Sequence, residues 1–154
     1  MKSKISKTLT LVAIATTLLS FTAYFGGEGF EISLNGKVVM QQFGKEMDVV
    51  KTLELNSAAP NDKLTIRYHH CGKVGKNRIV TIKDGQNNVV KEWRFNDSQT
   101  VLGDMNCNVQ DIISLKKGSN QVLKLYYSSS ELPDGRQLAA VSIDSKQYNA
   151  AAIK

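Results

Sequence analysis

The chain has 154 residues, 42% hydrophobic and 22% charged, with a net charge of +6. That composition excludes a disordered chain, a collagen-like repeat and a cysteine-dense miniprotein, and the length suits one domain. Half of the net charge sits on Lys2, Lys4 and Lys7, and the other Lys and Arg are scattered, so there is no basic stripe and no nucleic-acid partner is expected.

Those three lysines precede an apolar run from Leu9 to Leu19, followed by the small residues Ser20, Thr22 and Ala23. This is the three-part layout of a secretory signal peptide, so residues 1–23 are expected to form a signal helix that is removed on export. The alternative is an N-terminal membrane anchor over residues 9–25, although these 17 residues fall short of the ~20 that a spanning helix needs. The expected location is therefore secreted or periplasmic, in the bacterial cell envelope, or membrane-anchored through residues 9–25. The membrane is a partner only through this segment. Residues 24–29, with three glycines, read as a linker.

From residue 30 onward the hydrophobic period is two, the period of strands. Phe30, Ile32 and Leu34 alternate with Glu31 and Ser33, and Asn35-Gly36 then marks a hairpin. Lys37 to Phe43 is the return strand, residues 44–48 a loop, and Val49 to Leu55 a third strand. Residues 56–61, with Pro60, make a turn. Lys63–His70, Arg78–Lys83 and Val89–Phe95 follow as three strands, and with the residue after the first of them they hold Trp93, His69, His70 and Cys71. On the first of these, Leu64, Ile66 and Tyr68 face one way and Thr65, Arg67 and His69 the other.

Residues 96–108 form an Asn- and Asp-rich loop. Val109–Leu115 reads as a strand because β-branched residues crowd a helix. Lys116–Asn120 is a hairpin loop, and Val122–Tyr127 returns. Leu132-Pro133-Asp134-Gly135 fits a type I turn, Leu138–Asp144 is the last strand, and residues 145–154 read as a frayed tail. Eight or nine strands at roughly ten-residue spacing predict an all-β fold. The expected architecture is an antiparallel β-sandwich over residues 30–144, jelly-roll or immunoglobulin-like.

The stretch from Asp111 to Tyr126 resembles a strand, Lys-Gly-x-Asn turn, strand unit of jelly-roll sugar-binding modules in secreted glycosidases. Leu34-Asn35-Gly36-Lys37 resembles a hairpin of the same modules. The resemblance implies a sandwich and matches no ligand-binding residue.

Two cysteines in an exported chain predict a Cys71–Cys107 disulfide. It would close a loop of about 36 residues and contribute ~3–4 kcal/mol in the chain-entropy model. The alternatives are two free thiols, or a small metal-handling protein with His69, Cys71 and Cys107 as soft ligands. His70 points to the other face and reads as a satisfied residue at the core edge. Asp97, Asp104 and Asp111 offer oxygens for a looser calcium site, beside the more common reading as a solvated loop. The glycine and glutamate that an EF-hand loop requires are replaced by Val109 and Leu115.

There is no G-x-S-x-G elbow, H-E-x-x-H or P-loop, so no catalytic residue and no cofactor is assigned. The function read from the chain is an exported, non-catalytic β-sandwich module with a binding or structural role, its partner a protein or a glycan. A second alternative is a cell-envelope hydrolase. The residues expected to mark a binding surface are His69, Tyr126, Asp104 and Asn106. Intact mass of the exported protein tests the signal: a chain beginning at residue 23 or 24 supports cleavage, and a full-length chain supports the anchor.

Overall fold

The computed structural model describes residues 27–55, 58–59, 61–116 and 122–143. The expected signal helix and anchor, and the tail at 145–154, lie outside the described residues. Among the described residues no helix is long and apolar enough to cross a membrane.

Nine strands are described: β1 (Gly29–Leu34), β2 (Lys37–Phe43), β3 (Lys51–Glu54), β4 (Lys63–His69), β5 (Arg78–Lys83), β6 (Val89–Phe95), β7 (Met105–Asn108), β8 (Leu123–Ser129) and β9 (Leu132–Ser142). A 3₁₀ turn spans Gly44–Asp48, and one short helix, α1, spans Val109–Ile113. The fold is all-β. A four-stranded sheet runs β2-β1-β4-β7 and a five-stranded sheet β3-β9-β8-β5-β6. The ladders are antiparallel except for β3, which pairs parallel to β9.

The two sheets share one apolar core. Phe30, Ile32, Leu64 and Ile66 from the first sheet meet Val80, Ile82, Leu123 and Leu125 from the second. Burying each such side chain stabilises the fold by ~1.5–3 kcal/mol. Tyr68 of β4 stacks on Tyr127 of β8, with ring centroids 4.5 Å apart and 20° between planes. A ring pair of this kind adds ~0.5–1.5 kcal/mol beyond its area. The Asn35-Gly36 hairpin forms as its residue types predict, with φ of 50° and 81°. The Asn35 side chain then ties the turn to β4: its Oδ1 accepts from the Lys63 N–H at 2.9 Å and its Nδ2 donates to Asp62 at 2.8 Å. That bond and the Ala59 N–H hold the Asp62 carboxyl below its usual range.

Three local expectations are corrected. Residues 105–108 are a strand inside the expected loop, with Met105 and Cys107 buried and Asn106 and Asn108 exposed. The asparagines hide an alternation that is itself regular. Val109–Ile113 is a helix, not a strand. Its β-branched residues cost ~0.5–0.7 kcal/mol each relative to Ala. Burial of Val109 and Ile112 on one face outweighs that. The resemblance of the stretch after Asp111 to a strand-turn-strand unit therefore fails at its first strand. The type I turn at 132–135 is also replaced: β9 begins at Leu132, and Gly135 takes φ 69° inside it. The β8–β9 register slips nearby, so this glycine serves a bulge.

The expected disulfide is absent: Cys71 and Cys107 are both free thiols, one exposed and one buried. The register explains why. Cys107 sits opposite Leu64 on β4, and Cys71 follows seven positions along the chain. β4 runs on from Leu64 to His69 for roughly 16 Å at ~3.3 Å per residue before the chain reaches Cys71, beyond the ~7 Å Cα separation that a disulfide spans. Burial, with Asp111 nearby, pushes the Cys107 thiol up to about 12. Iodoacetamide is therefore expected to modify Cys71 in the native protein and Cys107 only after denaturation, with no reductant present. Cys107→Ser is expected to lose about 1–3 kcal/mol in urea denaturation, and Cys71→Ser to stay within ~0.5 kcal/mol of the parent. Thiols that react only after reduction would contradict this assignment.

Candidate functional site

The outward side of β4 organises the site. Because Leu64, Ile66 and Tyr68 turn into the core, Thr65, Arg67 and His69 face outward. Their cross-strand neighbours are fixed by register. Arg67 lies beside Glu31, Thr65 between Ser33 and Asn106, and His69 beside Gly29. Arg67 Nε donates to Asp104 Oδ1 at 2.6 Å and Nη1 donates to Glu31 Oε1 at 3.0 Å. Those carboxylates, Asp104 first, hold the guanidinium charged. Thr65 donates to Asn106 Oδ1 at 2.8 Å, which leaves the Asn106 amide N–H groups facing out.

Two hollows adjoin on this face and share Arg67. One, of about 240 Å³, is lined by Phe43, Gly29, His69 and Leu102. The other, of about 390 Å³, is lined by Ser33, Thr65, Asp104, Asn106 and Lys63. Phe43 belongs to the first because Gly29 has no side chain: a Cβ there would collide with the Phe43 ring. His69 is only 8% exposed. Its Nδ1 donates to the Gly27 carbonyl at 2.6 Å.

The rim is held by a residue that the pattern of the chain did not single out. Arg78 begins β5 and is buried, and its guanidinium donates to the carbonyls of Asn96 (3.0 and 2.8 Å) and Gly103 (2.9 Å). Two further bonds fasten the 96–104 loop: Asn77 N–H to Asp97 at 2.9 Å and Ser98 N–H to the Gly75 carbonyl at 2.9 Å. Leu102 and Asp104 are thereby carried to the hollows. Chain order gives no hint of the pairing between Arg78 and these loop carbonyls.

Of the residues expected to mark a surface, His69, Asp104 and Asn106 come together here. Tyr126 does not. It lies on the outer side of the five-stranded sheet, with Lys83 Nζ 4.2 Å over its ring and its hydroxyl donating to Gln137 at 3.1 Å. The alternative metal set is not assembled, because Cys107 turns into the core away from His69 and Cys71. The calcium reading is not assembled either: Asp97 accepts from Asn77, Asp104 from Arg67, and Asp111 pairs with Lys91 at 3.5 Å. Among the described residues no three His, Cys, Asp or Glu side chains are grouped to hold a metal ion. No protein-family model matches the chain, and comparison with curated proteins yields no match.

Behind the site, His70 lies in the core edge as a hydrogen-bonded residue. Its Nε2 is 2.9 Å from the Tyr127 hydroxyl and 3.3 Å from Ser129 Oγ. Burial lowers the His70 pKa against the opposing pull of Glu131 and Glu28, with His69 and Lys73 adding to the lowering. Burial raises those of Tyr127 and Tyr68. A neutral imidazole therefore accepts from a protonated phenol. Because the folded pKa lies below the unfolded one, protons bind the unfolded chain more readily. Stability is present above pH ~6.5 and is lost as pH falls toward the folded value. Urea midpoints measured from pH 7.5 downward are expected to fall across this window, and His70→Asn to flatten that part of the curve. A parent midpoint independent of pH there would refute the assignment.

Proposed function

We propose that the protein is an exported, non-catalytic β-sandwich module, jelly-roll or immunoglobulin-like, that binds a partner in the cell envelope or outside the cell. The outer face of its four-stranded sheet is the binding surface in this reading. The signal-like N-terminus supports export, and two sheets on one core support a sandwich. The observation that carries the reading is the Arg67 junction. Side chains from three chain segments, Glu31 on β1, Thr65 and Arg67 on β4, and Asp104 and Asn106 at β7, surround two adjoining hollows. Exposed ion pairs contribute ~0–1 kcal/mol each, so stability alone gives little reason for this arrangement. Binding residues gather where a rigid scaffold presents loops, and β4 with the fastened 96–104 loop provides that setting.

Co-sedimentation of the purified mature protein with a washed envelope fraction tests the reading. The parent is expected to pellet. Asn106→Trp, which fills the polar hollow, is expected to lower the bound fraction at least ~10-fold, a change worth about 1.4 kcal/mol. Ser128→Trp, on the outer side of the other sheet, is expected to pellet like the parent. Loss of binding in Ser128→Trp with retention in Asn106→Trp, or no pelleting at all, would overturn the proposal.

A further inference from the structure

We infer that the paired hollows take an uncharged oligosaccharide, an inference that rests on the outer face of the four-stranded sheet being the binding surface. Charge is the first reason. The ionic groups lining the hollows cancel, Glu31 and Asp104 against Arg67 and Lys63. The one guanidinium is already shared by two carboxylates. A phosphate or carboxylate ligand would have to displace one of them, and a cationic ligand would meet Arg67 and Lys63.

The second reason is an unused acceptor. A carbonyl only accepts, so the bond to Gly27 puts a proton of His69 on Nδ1, and in the neutral imidazole Nε2 is then an acceptor. The residue is 8% exposed, and no hydrogen bond of Nε2 is recorded among the described residues. Among those residues no fully buried side-chain nitrogen or oxygen lacks a partner. Nε2 is therefore within reach of solvent, and His69 lines the apolar hollow. Asp104 Oδ2 adds a second acceptor, and the Asn106 amide N–H groups, not used by Thr65, add donors. A ligand hydroxyl both donates and accepts, so a polyol satisfies this mixed set.

Shape is the third reason. Phe43 and Leu102 form an apolar shelf at one end, suited to the C–H face of a sugar ring, while amide and hydroxyl groups line the other end. From Lys63 to His69 the site follows β4 for roughly 20 Å at ~3.3 Å per residue, which suits a ligand of several linked rings. The combined space falls within the ~300–1,000 Å³ of ordinary ligand sites.

The test is a glycan array carrying neutral, uronic-acid and sulfated oligosaccharides, probed with the mature protein and followed by calorimetry on the best neutral member. The parent is expected to bind a neutral oligosaccharide. Phe43→Ala and Asn106→Ala are each expected to weaken it by about 10-fold or more, the worth of one good hydrogen bond or stacked ring. Ser128→Ala is expected to leave binding unchanged, and circular dichroism checks the fold of each variant. Binding confined to acidic glycans, or to none, overturns the inference, as does neutral binding that Phe43→Ala and Asn106→Ala both leave intact. A random peptide library panned in parallel separates the two levels. Peptides retained by the parent and lost in Asn106→Ala overturn the sugar assignment while the binding face stands.

Discussion

The register of β4 is the constraint on which the other features depend. Its side chains alternate between two faces: Leu64, Ile66 and Tyr68 lie in the core, and Thr65, Arg67 and His69 lie on the opposite face, where Thr65 and His69 are largely covered and Arg67 is half-exposed. A slip of one residue would bury a guanidinium and expose a tyrosine. The core penalises this heavily, because an unpaired buried charge is far costlier than any lost surface contact. The stacked Tyr68–Tyr127 pair adds a second lock, since it sets β4 against β8 of the other sheet. The outer hollows thus inherit their geometry from hydrophobic packing on the opposite side of the same strand.

A second tier of constraint comes from the loops. The Tyr68 hydroxyl donates to Glu28 Oε1 at 2.6 Å, and Arg136 of β9 donates to Oε2 at 3.2 Å. With the His69–Gly27 bond, these contacts hold residues 27 and 28 at the end of the sheet. Gly29, the last residue of the expected linker, belongs to β1. On the facing edge, Arg78 gathers residues 96–103 by donating to backbone carbonyls. That use of a guanidinium avoids the desolvation of a second charge, since carbonyl dipoles compensate it in place of a carboxylate.

What could be read directly from the chain was whatever is written in local periodicity. The two faces of β4, the Asn35-Gly36 turn, the two-residue alternation of β1 and the extents of β2 and β5 all follow from neighbours in sequence. In two places residue composition and hydrophobic period point different ways. Met105-Asn106-Cys107-Asn108 alternates cleanly, yet its asparagines suggested a loop. Val109–Ile113 carries β-branched residues, yet burial of two of them decided for a helix. The cysteines were matched by count and compartment, whereas their separation is a matter of register between β4 and β7. No local pattern reports that register. The site was legible in part for the same reason: His69 was visible as an outward residue, but Phe43, Leu102 and Arg78 reach the site through pairings and loop closure that only the folded chain defines.

The Arg67 junction fixes side-chain positions while contributing little to the stability of the fold. Arg67 and Asp104 are both substantially exposed, with side-chain exposures of 40% and 48%, so solvent screens their attraction. A pair of β-branched residues across β1 and β4 would serve the sheet at least as well. The guanidinium instead fixes the positions of two carboxylates that approach from different directions, one along β1 and one from the loop ahead of β7. Its planar fork suits that task better than an ammonium would, because its donors diverge at set angles. Once Glu31 and Asp104 are held, their remaining oxygens point to predictable places, and the face acquires a fixed array of acceptors beside the Asn106 donors. Rigid polar groups of this kind lose little entropy when a ligand arrives. Pre-organisation, not fold stability, is therefore the physical consequence of placing charges on an otherwise ordinary sheet.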